Sequence, residues 1–150
     1  MTTVLDQSLV GYRTPSFAVD IEKGRLRLFA TAINETDPVY RDEDAARAAG
    51  YPSIPVPPTF FLCLEMERDD AYDWFKDLGI PLAKVLHGEQ CFTYHDTVHA
   101  GDTVHFNGEI VEIYHKKEGA LEFLVHRNFV TRADGQPVAE FDRTLVIRHD

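Results

Sequence analysis

TVHFNGEIVEIYHKKEGALEFLVHRNFVTRADGQPVAEFDRTLVIRH, residues 103–149, reads as three consecutive β-strands. Val, Ile, Phe, Tyr and Thr dominate it, the residues that suit a pleated, half-buried surface. Glu118-Gly119 and Asp134-Gly135 interrupt the run. Asp134-Gly135 is the stronger turn signal, because a tight hairpin needs positive φ and glycine accepts it. Phe141, Leu145 and Ile147 alternate in the last segment, so one face of that strand is expected to be buried. Between Ile110 and Val111 the apolar phase shifts, which predicts a bulge or a strong twist. A fourth segment of the same character, KVLHGEQCFTYHDTV at 84–98, precedes these three across the turn Ala100-Gly101-Asp102.

The first half of the chain has a different rhythm. TPSFAV at 14–19 predicts a short first strand. Asp20 is placed to cap a helix in which Leu26, Phe29, Ala30 and Ile33 recur at helical spacing, with Gly24 weakening it. Asp42 is placed to cap a second, short helix, DEDAARAA, which Gly50 ends. PVPPTFFLCLEMERDD at 55–70 then opens on prolines, which a first helical turn tolerates, and carries an apolar face of Phe60, Phe61, Leu64 and Met66. It predicts a core helix, with DAYDWFK at 70–76 continuing it after a kink or forming a separate turn. The order is one strand, a helical section with one long apolar helix, and four long antiparallel strands. That is an α+β layout in which an antiparallel sheet wraps a long central helix, the hot-dog fold. Such a layout leaves a sheet face and an edge uncovered, so a dimer is expected.

Bulk properties narrow the function. At 150 residues the chain is one domain. Its 44% hydrophobic and 27% charged residues are those of an ordinary globular protein. A formal net charge of −10 argues against nucleic acid or an anionic membrane as partner. Cys63 and Cys91 have no metal spacing and are expected to be buried, reduced thiols of a cytosolic protein. Residues 1–12 show neither a basic n-region nor an apolar h-region, so no leader is expected, and no run has the ~20 apolar residues of a membrane span.

Several segments in this order, RLRLFATAINETDPVY (25–40), DEDAARAAGYPSIPVPPTF (42–60) and VLHGEQCFTYHDTVHAGDTV (85–104), together with the final strands, resemble the MaoC-like dehydratase N-terminal family. Those hot-dog proteins are related to (R)-specific enoyl-thioester hydratases. The resemblance implies action on, or binding of, 2-enoyl or 3-hydroxyacyl groups carried by coenzyme A, with acyl carrier protein the less favoured alternative. It implies no redox cofactor and no metal. Catalytic relatives carry a Gly-Asp-x-Asn-Pro-[Ile/Leu/Val]-His turn whose Asp and His activate one water. Aligned on Pro38, Asp37 falls at the Asn, Glu35 at the Asp, and Tyr40 at the His. A carboxylate is kept and the imidazole is lost. Tyrosine, with a pKa near ~10, is a poor base at neutral pH, though it can donate a proton or orient a water. In this group one hot-dog half often bears the pair while the other shapes the acyl tunnel. A homodimer, or a heterodimer with a catalytic MaoC-like subunit, is implied.

The residues themselves offer a second imidazole and carboxylate. In a regular strand His87 and Glu89 face one side across Gly88, and could replace the missing pair; scaffold pairing, with Gly88 marking a bulge, is the alternative. Glu35, Asp37 and Tyr40 read either as a pocket lining or as a turn with solvated acids. Pro58, Thr59 and Phe60 open the apolar helix. Its free N–H groups could hold a thioester carbonyl, and Thr59 could equally serve as a cap. Phe60, Phe61 and Trp74 read as channel or as core. Lys84, Lys116, Lys117 and Arg127 are candidates for phosphates of the carrier, or solvated strand ends. His95 and His99, near Asp96 and Asp102, lack a metal-binding spacing. Three activities fit these residues: a hydratase/dehydratase, a non-catalytic thioester-binding subunit, and a hot-dog thioesterase using Glu35 or Glu89.

Overall fold

The computed structural model describes residues 5–149. Five antiparallel strands form one sheet: β1 Arg13–Asp20, β2 Val85–Tyr94, β3 Thr103–Lys116, β4 Leu121–Thr131 and β5 Pro137–Arg148. Their order is β1-β3-β4-β5-β2, so β1 and β2 are the edges. Four short helices lie against it: α1 Lys23–Ala32, α2 Glu43–Ala48, α3 Phe61–Glu65 and α4 Asp73–Asp77. This is the expected hot-dog arrangement, and none of these helices is long and apolar enough to cross a membrane.

The turn chemistry does what the sequence predicts. Gly135 at φ +86 closes the β4–β5 turn, where Arg132 N–H donates to the Gln136 carbonyl. Gly50 at φ +94 stops α2, whose first turn is capped by the Asp42 carboxylate accepting from Ala45 N–H. The β3–β4 register shifts between Ile110 and Glu112, at the position where the apolar phase slips.

Two helical expectations need correction. Asp20 does not cap α1. It ends β1 and accepts from the Thr103 hydroxyl at 2.6 Å, while Glu22 takes the cap position without a side-chain bond. The apolar helix of 55–70 is also shorter than its pattern. A 3-10 turn at Pro58–Phe60 leads into only five residues of α3, and α4 is a separate helix. Beyond the end of α3, Arg68 forks onto Asp70 and reaches the Pro15 carbonyl. Residues two apart lie on different sides of a helix, so this contact requires the helix to have ended.

Two apolar clusters share the inner face of the sheet. One packs Leu26, Phe60, Phe61 and Leu64 against Phe106, Val130 and Phe141. The other packs Trp74, Phe75 and Ile80 against Ile110, Leu124, Leu145 and Ile147. Between them the strand register lines up a polar row across all five strands. Thr14 faces Gly108, Gly108 faces Asn128, His126 faces Arg143, and Arg143 faces Gln90.

Gly108 makes that row possible, because a Cβ there would collide with Thr14 Oγ1 and His126 Nε2. Gly108→Ala is expected to lower stability by roughly 1–3 kcal/mol, the usual cost of overpacking. Gly24→Ala meets open space within α1 and is expected to raise stability by up to ~1 kcal/mol. Thermal melts of both variants against the parent check the opposite signs.

Candidate functional site

Glu35 and Tyr40 stand on the loop between α1 and α2. Asn34 turns the chain there with a left-handed φ of 56°. Glu35 Oε1 accepts from Asp37 N–H at 2.9 Å, and Asp37 Oδ1 accepts from Val39 N–H at 3.1 Å. Both carboxylates therefore hold the shape of the loop. Tyr40 closes the short 3-10 turn Pro38–Tyr40 and is half-buried. Burial first, then Tyr51, Glu35 and Asp37 nearby, push its phenol above its ordinary pKa. A phenol shifted upward has still less phenolate available to act as a base at neutral pH.

His87 and Glu89 are not brought together. The β2–β5 register shifts between them, so His87 opposes Leu145 while Glu89 opposes Thr144. Leu145 belongs to the inner cluster, and the neighbouring residues of β5 alternate, so the two side chains leave on opposite faces. Gly88 permits the bulge: a Cβ on it would meet Val146 Cγ2 at 2.7 Å. The side chain that joins His87 is instead Gln90, with Nε2 and Oε1 3.0 Å apart. Glu89 shares the outer face with Cys91, Glu112, Tyr114 and Asp142. Cys91 is exposed there and Cys63 only half-buried, which corrects the expectation of two buried thiols.

His87 lies at a cavity of about 220 Å³. Leu62, Met66, Tyr72, Phe75, Leu82, Val85 and Leu145 give it apolar walls, and Arg143 supplies the charge on its inner side. Arg143 belongs to the polar row. It donates through Nη2 to Glu65 Oε1 at 3.1 Å, and both side chains are 6% exposed. Asn128 donates to His126 Nδ1 at 3.2 Å. His126 Nε2 is left facing the Thr14 hydroxyl at 3.2 Å, and the imidazole stacks on Trp74. Burial raises the Glu65 carboxyl above its ordinary pKa against the pull of Arg143. Burial, then the Arg143 charge, lower the His126 imidazole to about 3.

Sequence periodicity did not bring these four residues forward. Each is a polar residue in a buried phase: Glu65 beside Leu64, His126 and Asn128 between Leu124 and Val130, Arg143 between Phe141 and Leu145. That is the signal by which they could have been found.

The remaining candidates are spread out. Pro58 and Thr59 are exposed, and Pro57 rather than Thr59 takes the cap position, without a side-chain bond. Phe60 is core, packed on Phe29 at 4.8 Å between ring centres, and Phe61 and Trp74 are buried with it. Asp96 pairs with Arg132, and no group of three His, Cys, Asp or Glu among the described residues is placed to hold a metal ion. Arg127 is tied to Asp142 on the outer face, and Lys116 lies over the Tyr114 and Phe123 rings. Lys84 ends the turn before β2, and Lys117 sits in the β3–β4 turn at φ 52.

A family described as FAS1-like, dehydratase domain region, matches residues 8–141. A UPF0336 protein of Saccharopolyspora erythraea is 37% identical over 145 residues, which are 96% of this chain and 92% of the relative. Another, from Streptomyces coelicolor, is 36% identical over 145 residues, 96% of this chain and 95% of the relative. Among solved structures, the C-terminally truncated HadBC (3R-hydroxyacyl-ACP dehydratase) complex from Mycobacterium tuberculosis contains a chain with TM-score 0.79 and 26% identity. The match covers 95% of this chain and 99% of that one. The ChsH1–ChsH2 complex from the same organism gives TM-score 0.70 at 23% identity, covering 91% of this chain and 89% of that one, a likeness of fold.

The polar row makes stability depend on pH in two opposed ways. His126 has a lowered folded value, so its contribution is complete above 6.5 and is lost as pH falls from 6.5 toward about 3. Glu65 has a raised value, so its contribution is present below 4.5 and is lost as pH rises from there. Replacing His126 by Gln is expected to remove the first dependence, up to ~1.4 kcal/mol per pH unit. Urea denaturation of both proteins across that range, taken as a difference, isolates the histidine.

Proposed function

This chain belongs to the FAS1-like dehydratase-region family, and from that premise we propose that it is the acyl-thioester-binding half of a two-subunit 3-hydroxyacyl-thioester dehydratase. The thioester would enter with its acyl chain in the cavity lined by His87 and Arg143. A second hot-dog chain would bring the imidazole and carboxylate that handle the water. One observation carries this reading. The loop at 34–40 commits Glu35 to Asp37 N–H, with Tyr40 at the position where, by the resemblance, catalytic relatives carry an imidazole, and the bulge at Gly88 separates His87 from Glu89. Activating a water needs a group with a pKa near 7 and a partner that orients it. Neither the loop nor the cavity supplies that pair.

The edge of the sheet supports a partner. β2 has ten residues and is paired on one side only, to β5. An edge of that length presents a row of N–H and C=O groups to a second strand. The likeness to a chain of the heteromeric HadBC complex, over nearly its whole length, favours the same architecture. HadBC is a 3R-hydroxyacyl-ACP dehydratase, so both carriers belong in the test.

The measurement is loss of enoyl absorbance on short enoyl thioesters of coenzyme A and of acyl carrier protein. The chain alone is expected to bind these thioesters without hydrating them. Mixed with a hot-dog subunit that bears an intact imidazole–carboxylate turn, it is expected to give activity that neither chain has alone. Hydration by the chain alone that disappears in His87→Ala would overturn this reading and assign the chemistry to His87.

A further inference from the structure

The outer face of the sheet carries an ordered row of side chains that the cavity does not use. Leu145 and Ile147 belong to the core, so Val146 between them points outward. The register sets Phe123 opposite Val146 on one side, with Tyr114 beyond it, and Leu86 opposite Val146 on the other. These four make an apolar stripe across β3, β4, β5 and β2. Leu86 is 47% exposed, and the other three are only partly buried. The Tyr114 and Phe123 rings stack at 4.6 Å between centres, and the Lys116 ammonium lies over both. One row nearer the β3–β4 turn, the outer face reads Lys116, Leu121, Arg148. One row the other way it reads Glu112, Val125, Thr144, Glu89. A positive and a negative border therefore flank one apolar stripe.

We propose that this face binds a second copy of the chain through a two-fold axis running along the stripe. In an isologous contact each residue meets its symmetry-related counterpart from the same patch. This axis lays stripe on stripe and exchanges the two borders. Lys116 then meets Glu112 of the second copy, Leu121 meets Val125, and Arg148 meets Thr144 with Glu89 beside it. Each column is matched, charge to opposite charge and apolar to apolar. The competing axis, parallel to the strands, sets Glu112 over Glu89 and Arg148 over Leu121, which like-charge repulsion and burial of an unpaired cation oppose. A wholly acidic partner meets Glu112 and Glu89, and a wholly basic one meets Lys116 and Arg148. The partner that fits carries both borders, and this chain does.

The dimensions agree. Stacked sheets lie about 10 Å apart, a gap that a lysine and a glutamate span together. Tyr114 and Phe123 supply aromatic area of the kind that anchors interfaces, and the borders set orientation. The stripe is short and each copy carries a net charge of −10, so the contact is a weak, reversible one and not that of a permanent dimer. It covers the outer face, leaving the backbone edge of β2 and the inner cavity open. The inference therefore stands apart from the function proposed above.

The test is sedimentation velocity of the intact protein over a range of concentrations at ~0.1 M salt, where exposed charges still interact over about 10 Å. The parent, Lys116→Glu and Glu112→Lys are compared, and then the two variants mixed in equal amounts. Both positions are exposed, and circular dichroism is expected to show the parent's fold in each variant. Either variant alone sets like charges together at both symmetry-related contacts and is expected to associate at least ~10-fold more weakly than the parent. In the mixture the two changed residues face each other, as do the unchanged Lys116 and Glu112, so association is expected to return to near that of the parent. Any pairing made by the β2 edge is common to all these proteins and cancels in the comparison. A parent with no reversible association would overturn the proposal, and so would variants that associate as the parent does. A mixture that stays as weak as its components would overturn the two-fold arrangement and the proposal with it. None of these outcomes bears on thioester binding, which the enoyl-thioester measurements decide separately.

Discussion

The pairing of Glu65 with Arg143 is the constraint around which the rest is arranged. Desolvating two charges costs several kcal/mol each, and their attraction repays it only when geometry and further hydrogen bonds are good. Here the pair spans α3 and β5 at 3.1 Å. The pair is therefore poor evidence of net stability and good evidence of register. Any slip of β5 by one residue would send Arg143 to the outer face and leave Glu65 buried without its charge partner. Burying that carboxylate without its partner is costly enough to reject the alternative packing.

Several local features follow from that pairing. Gly108 must lack a side chain so that Thr14 and His126 can meet across β3. His126 is kept as a neutral ring, because burial beside a guanidinium opposes its charging. The bulge at Gly88 lets His87 and Gln90 lie together on the inner face, with Gln90 opposite Arg143, and moves Glu89 to the other side. The two apolar clusters meet along this row instead of merging, and the cavity opens at that seam.

The strands, their turns and the bulge after Ile110 were legible, because each has a local cause: a glycine at positive φ, a β-branched run, or a slip in alternation. The hot-dog layout followed from their order. The length of α3 was not legible, since apolar spacing continues through Met66 while the helix ends at Glu65. The relation of His87 to Glu89 was not legible either, because the two-residue period holds only while the ladder is regular, and whether Gly88 bulges depends on Val146 across the strand. The polar row is a long-range arrangement. Glu65 and Arg143 are 78 residues apart, so no window along the chain contains the reason for either.

The loop at residues 34–40 and the wall of the cavity are held by different forces. The loop at residues 34–40 keeps its shape through bonds to its own backbone, from Asp37 N–H to Glu35 and from Val39 N–H to Asp37, so the side chain at position 40 is not needed to hold it. The residue at position 40 can therefore vary without disturbing the shape of the loop. The cavity wall has no such freedom. Leu145 and Phe75 are shared with the core, and Arg143 is fixed by a charge that cannot be left unpaired. A side chain at position 40 can change and leave the loop's own bonds in place, whereas one at position 143 cannot change without stranding the Glu65 carboxylate in the interior.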